Sequence, residues 1–352
     1  MKIEKKLSIF KKRHKNKKNQ IIFSKLDCKN NIFINNLINK FLNKKNSFIF
    51  ESVEKRRIRG RYTIVGGDPD KIWEFNGNKI NLIEKNIKKV IKKKPYAFLK
   101  KLIEDFNFPL PEGLPKLSSL LVGYFSYDVI RYIEKIPNKC KDDLKIPDIR
   151  LLRPKTIIIH DNLLKKIFFI KNCFGDQKIY NYKDFYFNQL EEISFLKNLA
   201  TDKKFIKKQN SKKKGKVIIK SNISKTEFKS MVLKAKQYIK KGDVFQVVLS
   251  QRFECQTNKS PLEIYKKLRA TNPSPFMFYF NFEDFQIIGS SPEILVRLRN
   301  NKITIRPIAG TRPRGATAKK DKFFKNQLLN DKKELAEHLM LLDLGRNDVG
   351  KI

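Results

Sequence analysis

Ile305-Arg306-Pro307-Ile308-Ala309-Gly310-Thr311-Arg312-Pro313-Arg314-Gly315 is the most informative segment of this 352-residue chain. A β-branched run stops at Pro307 and breaks into a glycine-bounded turn carrying three arginines and a threonine. Glycine lets the backbone approach a ligand closely, and exposed N–H groups with the Thr311 hydroxyl can hold carboxylate oxygens. Arginine adds planar, permanently charged forks for an anion. Taken alone, the segment describes either an anion cradle or a solvated surface turn.

Outward from this turn the patterning is regular. Residues 302–308 read as a strand, joined by an Asn300-Asn301 turn suited to a hairpin to a second strand over 293–299. Before it, residues 276–282 and 285–290 alternate as strands. A helix opens at Ser260, with Pro261 at its first position and Glu263 completing a capping box. Residues 243–253 alternate as a strand. An earlier helix has Ser224 and Glu227 as capping box, Phe228, Val232, Ala235 and Ile239 on one face, and Gly242 at its end. After the turn, residues 332–344 read as a helix with Leu335, Leu339 and Leu342 on its buried side and Glu334, Glu337 and His338 opposite.

Towards the N-terminus, residues 47–53, 61–65, 120–127 and 156–170 read as strands, and 82–91 and 98–106 as helices. Residues 1–20 read as a basic, mobile tail, and the lysine-rich stretch 203–216 as a linker. The pattern is α+β with mostly antiparallel strands. No glycine-rich dinucleotide motif or P-loop is present.

A formal charge of +43 raises the question of nucleic acid. Only 16 of the 78 basic residues are arginine, and the lysines are spread along the whole chain. A nucleic-acid face concentrates its charge and relies on arginine forks, so no nucleic-acid partner is expected. Cys28, Cys140, Cys173 and Cys255 form no C-x-x-C pair, which argues against a zinc knuckle and for a reducing compartment. No segment approaches the ~18 apolar residues needed to span a bilayer. A cytoplasmic protein without membrane attachment is the expectation.

Three further features could carry chemistry. Gln246 is a polar position on an alternating strand. Glu293 follows Pro292 at a strand start. Glu337 stands with Glu334 on a helix face, which a solvated surface explains equally well.

These strings in their order resemble the signature of the chorismate-utilising enzymes, and within them anthranilate synthase component I. The matching segments are Asp243-Val244-Phe245-Gln246-Val247-Val248-Leu249-Ser250-Gln251-Arg252-Phe253, then Ser291-Pro292-Glu293, then residues 307–315. The last is Ala336-Glu337-His338-Leu339-Met340-Leu341-Leu342-Asp343-Leu344-Gly345-Arg346-Asn347-Asp348. Upstream, Phe50-Glu51-Ser52-Val53-Glu54 with Arg59-Gly60-Arg61-Tyr62 is similar to that branch's regulatory motif. Asn272-Pro273-Ser274-Pro275-Phe276-Met277 resembles its partner segment.

The resemblance implies a fold of large, mostly antiparallel β-sheets packed with helices. With the basic tail (1–20) and a lysine-rich linker (201–219) read from composition, it divides the rest into a regulatory region (21–200) and the first half of a chorismate-binding catalytic region (220–352). The implied reaction joins chorismate with ammonia from a glutamine amidotransferase subunit, component II, to give anthranilate and pyruvate, with Mg²⁺ as cofactor. Glu293, as the general acid for the leaving hydroxyl, would form the catalytic set with Gln246 and Thr311, Gly310 and Thr311 would contact chorismate, and Glu337 would be a Mg²⁺ ligand. Ser52, Pro275, Phe276 and Met277 would bind L-tryptophan as feedback inhibitor.

Relatives that add water carry a lysine where this chain has Gln246. Relatives that make aminodeoxychorismate carry one where it has Ala309, and such a lysine can act as an attacking amine. Both positions favour use of ammonia. Family members continue past Val349-Gly350-Lys351-Ile352, so the fold is expected to be incomplete at the C-terminus and the chain alone to show little or no turnover. A non-catalytic remnant and the aminodeoxychorismate sister are the alternatives.

Overall fold

The computed structural model describes residues 2–28, 36, 38, 39, 41–53, 60–106, 108–201 and 218–351. The first half of the chain contains helix α1 (Lys2–Lys15) and strands β1 (Gln20–Asp27), β2 (Ser47–Glu51), β3 (Tyr62–Asn76), β4 (Lys79–Glu84) and β5 (Ile87–Ile91). Helix α2 (Pro95–Glu104), β6 (Val122–Phe125), a 3₁₀ turn (Tyr127–Tyr132), β7 (Ile149–Asp161), β8 (Lys166–Cys173) and α3 (Tyr182–Thr201) follow. The second half contains β9 (Ile219–Ser221), α4 (Lys225–Lys241), β10 (Phe253–Cys255), α5 (Pro261–Thr271), β11 (Phe276–Asn281) and β12 (Gln286–Ser291). It ends with β13 (Arg297–Arg299), β14 (Lys302–Thr304), α6 (Ala318–Leu329) and α7 (Lys332–Gly350).

Ten strands form one antiparallel sheet whose main path is β1-β8-β7-β3-β2-β11-β12, with β4 on β3, β5 on β4 and β6 on β7. In β7, between β8 and β3, Ile157, Ile158 and Ile159 are all fully buried because both faces are covered. One face packs Phe48, Ile64, Leu152, Ile157, Phe168 and Phe280 into a single cluster. On the other, Tyr186, Ile193, Leu196 and Ala200 form the buried stripe of α3. Lys171 of β8 is buried there, donating to Thr156 Oγ1 at 2.8 Å and paired with the Glu192 carboxylate of α3. A buried ammonium needs such partners.

Several expectations are corrected. Residues 2–15, read as part of a mobile tail, are helical, because Phe10 gives the basic segment an apolar anchor: it is buried against Phe185 and Tyr186 of α3. Residues 82–91, read as a helix, belong to the β4–β5 hairpin. Lys85 and Asn86 both take left-handed backbone angles at its two-residue turn. The run read as one strand over 156–170 is the adjoining parts of β7 and β8. Helix α6 was not anticipated.

Strand β11 pairs with β2, so one sheet draws on residues from both sides of 201–219. By contact density, residues 1–205 with 265–352 form one compact unit and 206–264 a second. In the second, α4 has the expected capping box of Ser224 and Glu227, and Gly242 caps its end at φ 79°. Residues 243–252 are not a strand there, and only β10 pairs, with β9. Phe245 and Val248 are largely exposed. Alternation makes a strand only where a neighbouring ladder receives its hydrogen bonds. The linker expected over 203–216, and Glu54 and Arg59 of the upstream motif, lie outside the described residues.

Candidate functional site

Strand register brings the distant motifs together. In the β2–β11 pair Met277 lies opposite Glu51. Residues 51–53 therefore run beside residues 274–277. In the β11–β12 pair Phe276 lies opposite Ser291, which delivers Pro292 and Glu293 at the same end of the sheet.

Glu51 fixes this corner from inside. It is buried, its Oε2 accepts from the Tyr265 hydroxyl at 2.6 Å and Arg269 Nε at 2.7 Å, and its Oε1 accepts from Arg269 Nη2 at 3.1 Å. The carboxylate ties α5 to the sheet, and burial with the adjacent Glu51 charge pushes the Tyr265 hydroxyl well above the usual phenol range.

A cavity of about 770 Å³ opens at this corner, lined by Ser52, Pro275, Phe276, Met277 and Glu293 among others. These five expected site residues are thus brought together. Phe50, Tyr62 and Phe278 supply apolar wall, and Arg61, Arg297, Arg299 and Arg306 bring positive charge. Arg61 forks onto Asp161, with Nη2 to Oδ2 at 2.9 Å, and stacks on Tyr62. Burial would raise the Asp161 carboxyl, but Arg61 and the N–H groups of Leu164 and Leu163 outweigh it and hold the carboxyl below the usual range. Arg297 Nε is buried without a hydrogen-bond partner among the described residues. A flat or apolar ligand carrying an anionic group fits this combination.

The turn after β14 joins the cavity through Ile308, whose N–H donates to Glu293 Oε1 at 3.0 Å. Gly310 follows, and a Cβ there would lie 1.7 Å from Glu334 Oε2, so the α7 carboxylate rests directly on this glycine. Thr311 is exposed. The turn's arginines divide their work: Arg312 pairs with Asp331 at 2.7 Å and Glu334 at 3.3 Å, and Arg314 forks onto Asp321. Arg306 is the one that faces the cavity.

Helix α7 turns its acid side inward, contrary to expectation. Asp331, Glu334 and Glu337 are half-buried, while Leu335, Leu339 and Leu342 are about half exposed, at 49%, 53% and 49%. The salt bridges from Arg312 hold that orientation. Mg²⁺ takes one or two carboxylates with water and substrate oxygens. No group of three or more acidic, His or Cys side chains that could hold a metal exists among the described residues. With Glu334 engaged by Arg312, Glu337 is left as a single carboxylate, and these residues alone do not fit a metal site. Gln246 belongs to the compact unit of residues 206–264, exposed on an irregular segment.

Sequence reasoning missed the Glu51–Tyr265–Arg269 cluster, Arg297 and Arg299. An acid closing the apolar run Ser47-Phe48-Ile49-Phe50-Glu51 is a signal for a buried carboxylate. Basic residues two apart on a hairpin strand are a signal for a charged face.

Comparison with known proteins accords with this geometry. Residues 45–352 match the family model described as chorismate binding enzyme. The chain is 39% identical over 322 residues to anthranilate synthase component 1 of Acetivibrio thermocellus, covering 90% of this chain and 65% of that one. It is 38% identical over 341 residues to the protein of the same name from Cereibacter sphaeroides, covering 95% and 68%. The crystal structure of anthranilate synthase component I from Streptococcus pneumoniae TIGR4 superposes with a TM-score of 0.68 at 30% identity, covering 86% and 64%. The menaquinone-specific isochorismate synthase of Escherichia coli, at 12% identity and a TM-score of 0.55, shares the fold. This chain spans about half to two thirds of the length of the curated relatives it matches. By sequence match and by fold, it belongs to the chorismate binding enzyme family.

Proposed function

We propose that the chain carries the chorismate-binding and regulatory parts of an anthranilate synthase component 1. In this reading ammonia adds to the chorismate ring as the ring hydroxyl leaves, and loss of pyruvate gives anthranilate. Glu293 delivers the proton to the departing hydroxyl. The backbone around Gly310 and Thr311 holds a substrate carboxylate, and the neighbouring arginines attract the dianion. Gln246 and Ala309 stand where water-adding and amine-donating relatives carry lysine, which supports ammonia as the nucleophile. Ammonia would come from a glutamine amidotransferase subunit, and L-tryptophan would inhibit at Ser52 and Pro275–Met277.

The observation that carries this reading is the Ile308 N–H bond to Glu293, which ties the acid to the glycine turn. Calorimetry with chorismate tests it. The wild-type chain binds, and Gly310→Val, whose side chain would run into the Glu334 carboxylate and so displace the turn, weakens binding about tenfold or more, a loss of roughly 1.4 kcal/mol. Binding unaffected by Gly310→Val would remove the turn from the site.

A further inference from the structure

Ser274 stands where three segments meet. It is buried, at 5% exposure. Its carbonyl accepts the Val53 N–H at 3.0 Å, so it holds the end of the Glu51-Ser52-Val53 segment. Its hydroxyl donates to the Ser291 carbonyl and accepts the Phe276 N–H at 3.4 Å. From Ser291 the contacts continue: the Glu293 N–H donates to Ser291 Oγ at 3.3 Å, Ser291 Oγ donates to the Glu293 carbonyl at 3.0 Å, and the Ile308 N–H donates to Glu293 Oε1. Each link between residues is a hydrogen bond, and Ser52, Phe276 and Glu293 all line the same cavity.

We propose that Ser274 is the positioning residue that couples occupancy of the Ser52 and Pro275–Met277 wall to the placement of Glu293 and the glycine turn. This rests on the reading of that wall as a tryptophan site. A ligand against Phe276 and Met277 loads a segment whose only side-chain hydroxyl is bonded to the carbonyl two residues before Glu293. Small shifts at Pro275 are therefore passed to the acid through a short, stiff connection. Such a connection earns the name of coupling only when both ends are shown to respond.

The test combines calorimetry with hydrogen exchange on the full 352-residue chain, using L-tryptophan as the probe. In the wild type, tryptophan slows exchange of the Ile308 amide by about fivefold or more. Ser274→Ala binds tryptophan within about threefold of the wild type, yet the slowing falls below about twofold. Ser274→Thr keeps the hydroxyl and restores the response. Amides of Ile158 and Ile159, fully buried in β7, report that each variant folds. Should Ser274→Ala lose them, Ser274→Cys replaces it, with a weakened response expected.

Binding to the wild type without a response at Ile308, or a full response in the folded alanine or cysteine variant, overturns the coupling alone. Absence of any binding heat in the wild type sinks the tryptophan reading and this proposal with it.

Discussion

Two neighbouring residues near the end of β7 answer to pH through different physics. Asp161 is buried and held low by Arg61 and two backbone N–H groups, so its contribution is lost only in strong acid, below the usual carboxylate range. His160 is buried, and its Nε2 has no hydrogen-bond partner among the described residues. Burial lowers its affinity for a proton, Lys165 lowers it further, and Asp161 offsets only part of this. A depressed histidine stabilises the fold above the unfolded-state value of about 6.5 and loses that contribution as pH falls through it, because the unfolded chain takes up the proton first. Between about pH 6.5 and 5, wild-type stability in urea should therefore fall more steeply than that of His160→Gln. The excess slope is at most about 1.4 kcal/mol per pH unit. Equal slopes would mean that His160 is not held neutral.

At the scale of elements, the β13–β14 hairpin shows local chemistry deciding structure. Arg299 pairs with Lys302, leaving a two-residue loop in which Asn300 (φ 51°) and Asn301 (φ 58°) are both left-handed. Asn301→Gly should leave the hairpin as stable or stabilise it by a few tenths of a kcal/mol. Asn301→Val should cost about 1–2 kcal/mol and loosen Arg297 and Arg299 in the cavity wall. Exchange at the Thr304 amide under native conditions reads both effects.

This turn, both capping boxes and the β11–β12 pair were legible because their signals are local. The β4–β5 hairpin was not: Leu82, Ile83, Ile87, Val90 and Ile91 also fit a helical stripe, and nothing nearby says that Leu82 will pair with Trp73 of β3. The inward side of α7 was misread for a similar reason. Its leucines carry the usual core signal, but ion pairs from a turn some twenty residues earlier fix the helix by its acids. Residues 243–252 show the converse case, a strand pattern that has no ladder partner among the described residues.

At the scale of the molecule, antiparallel pairing does what no motif could announce. It puts β2 and β11, more than two hundred residues apart, side by side, and so places Ser52, Pro275, Phe276, Met277 and Glu293 around one cavity. The motif strings named these residues; only the register shows that they share a space. The lysine-dominated charge lies outside this argument, since the cationic side of the cavity is made by arginines. No helix among the described residues is long and apolar enough to cross a membrane.

The most direct test of the proposed chemistry is anthranilate fluorescence from chorismate, ammonium and Mg²⁺. The protein to use is this chain joined to the part, about a third, of the Acetivibrio thermocellus relative that it does not match. Anthranilate should appear with an equal amount of pyruvate, and Glu293→Gln should cut the rate by about 100-fold or more. Isochorismate or aminodeoxychorismate as the product, or a Glu293→Gln rate within about twofold of the wild type, would contradict the account.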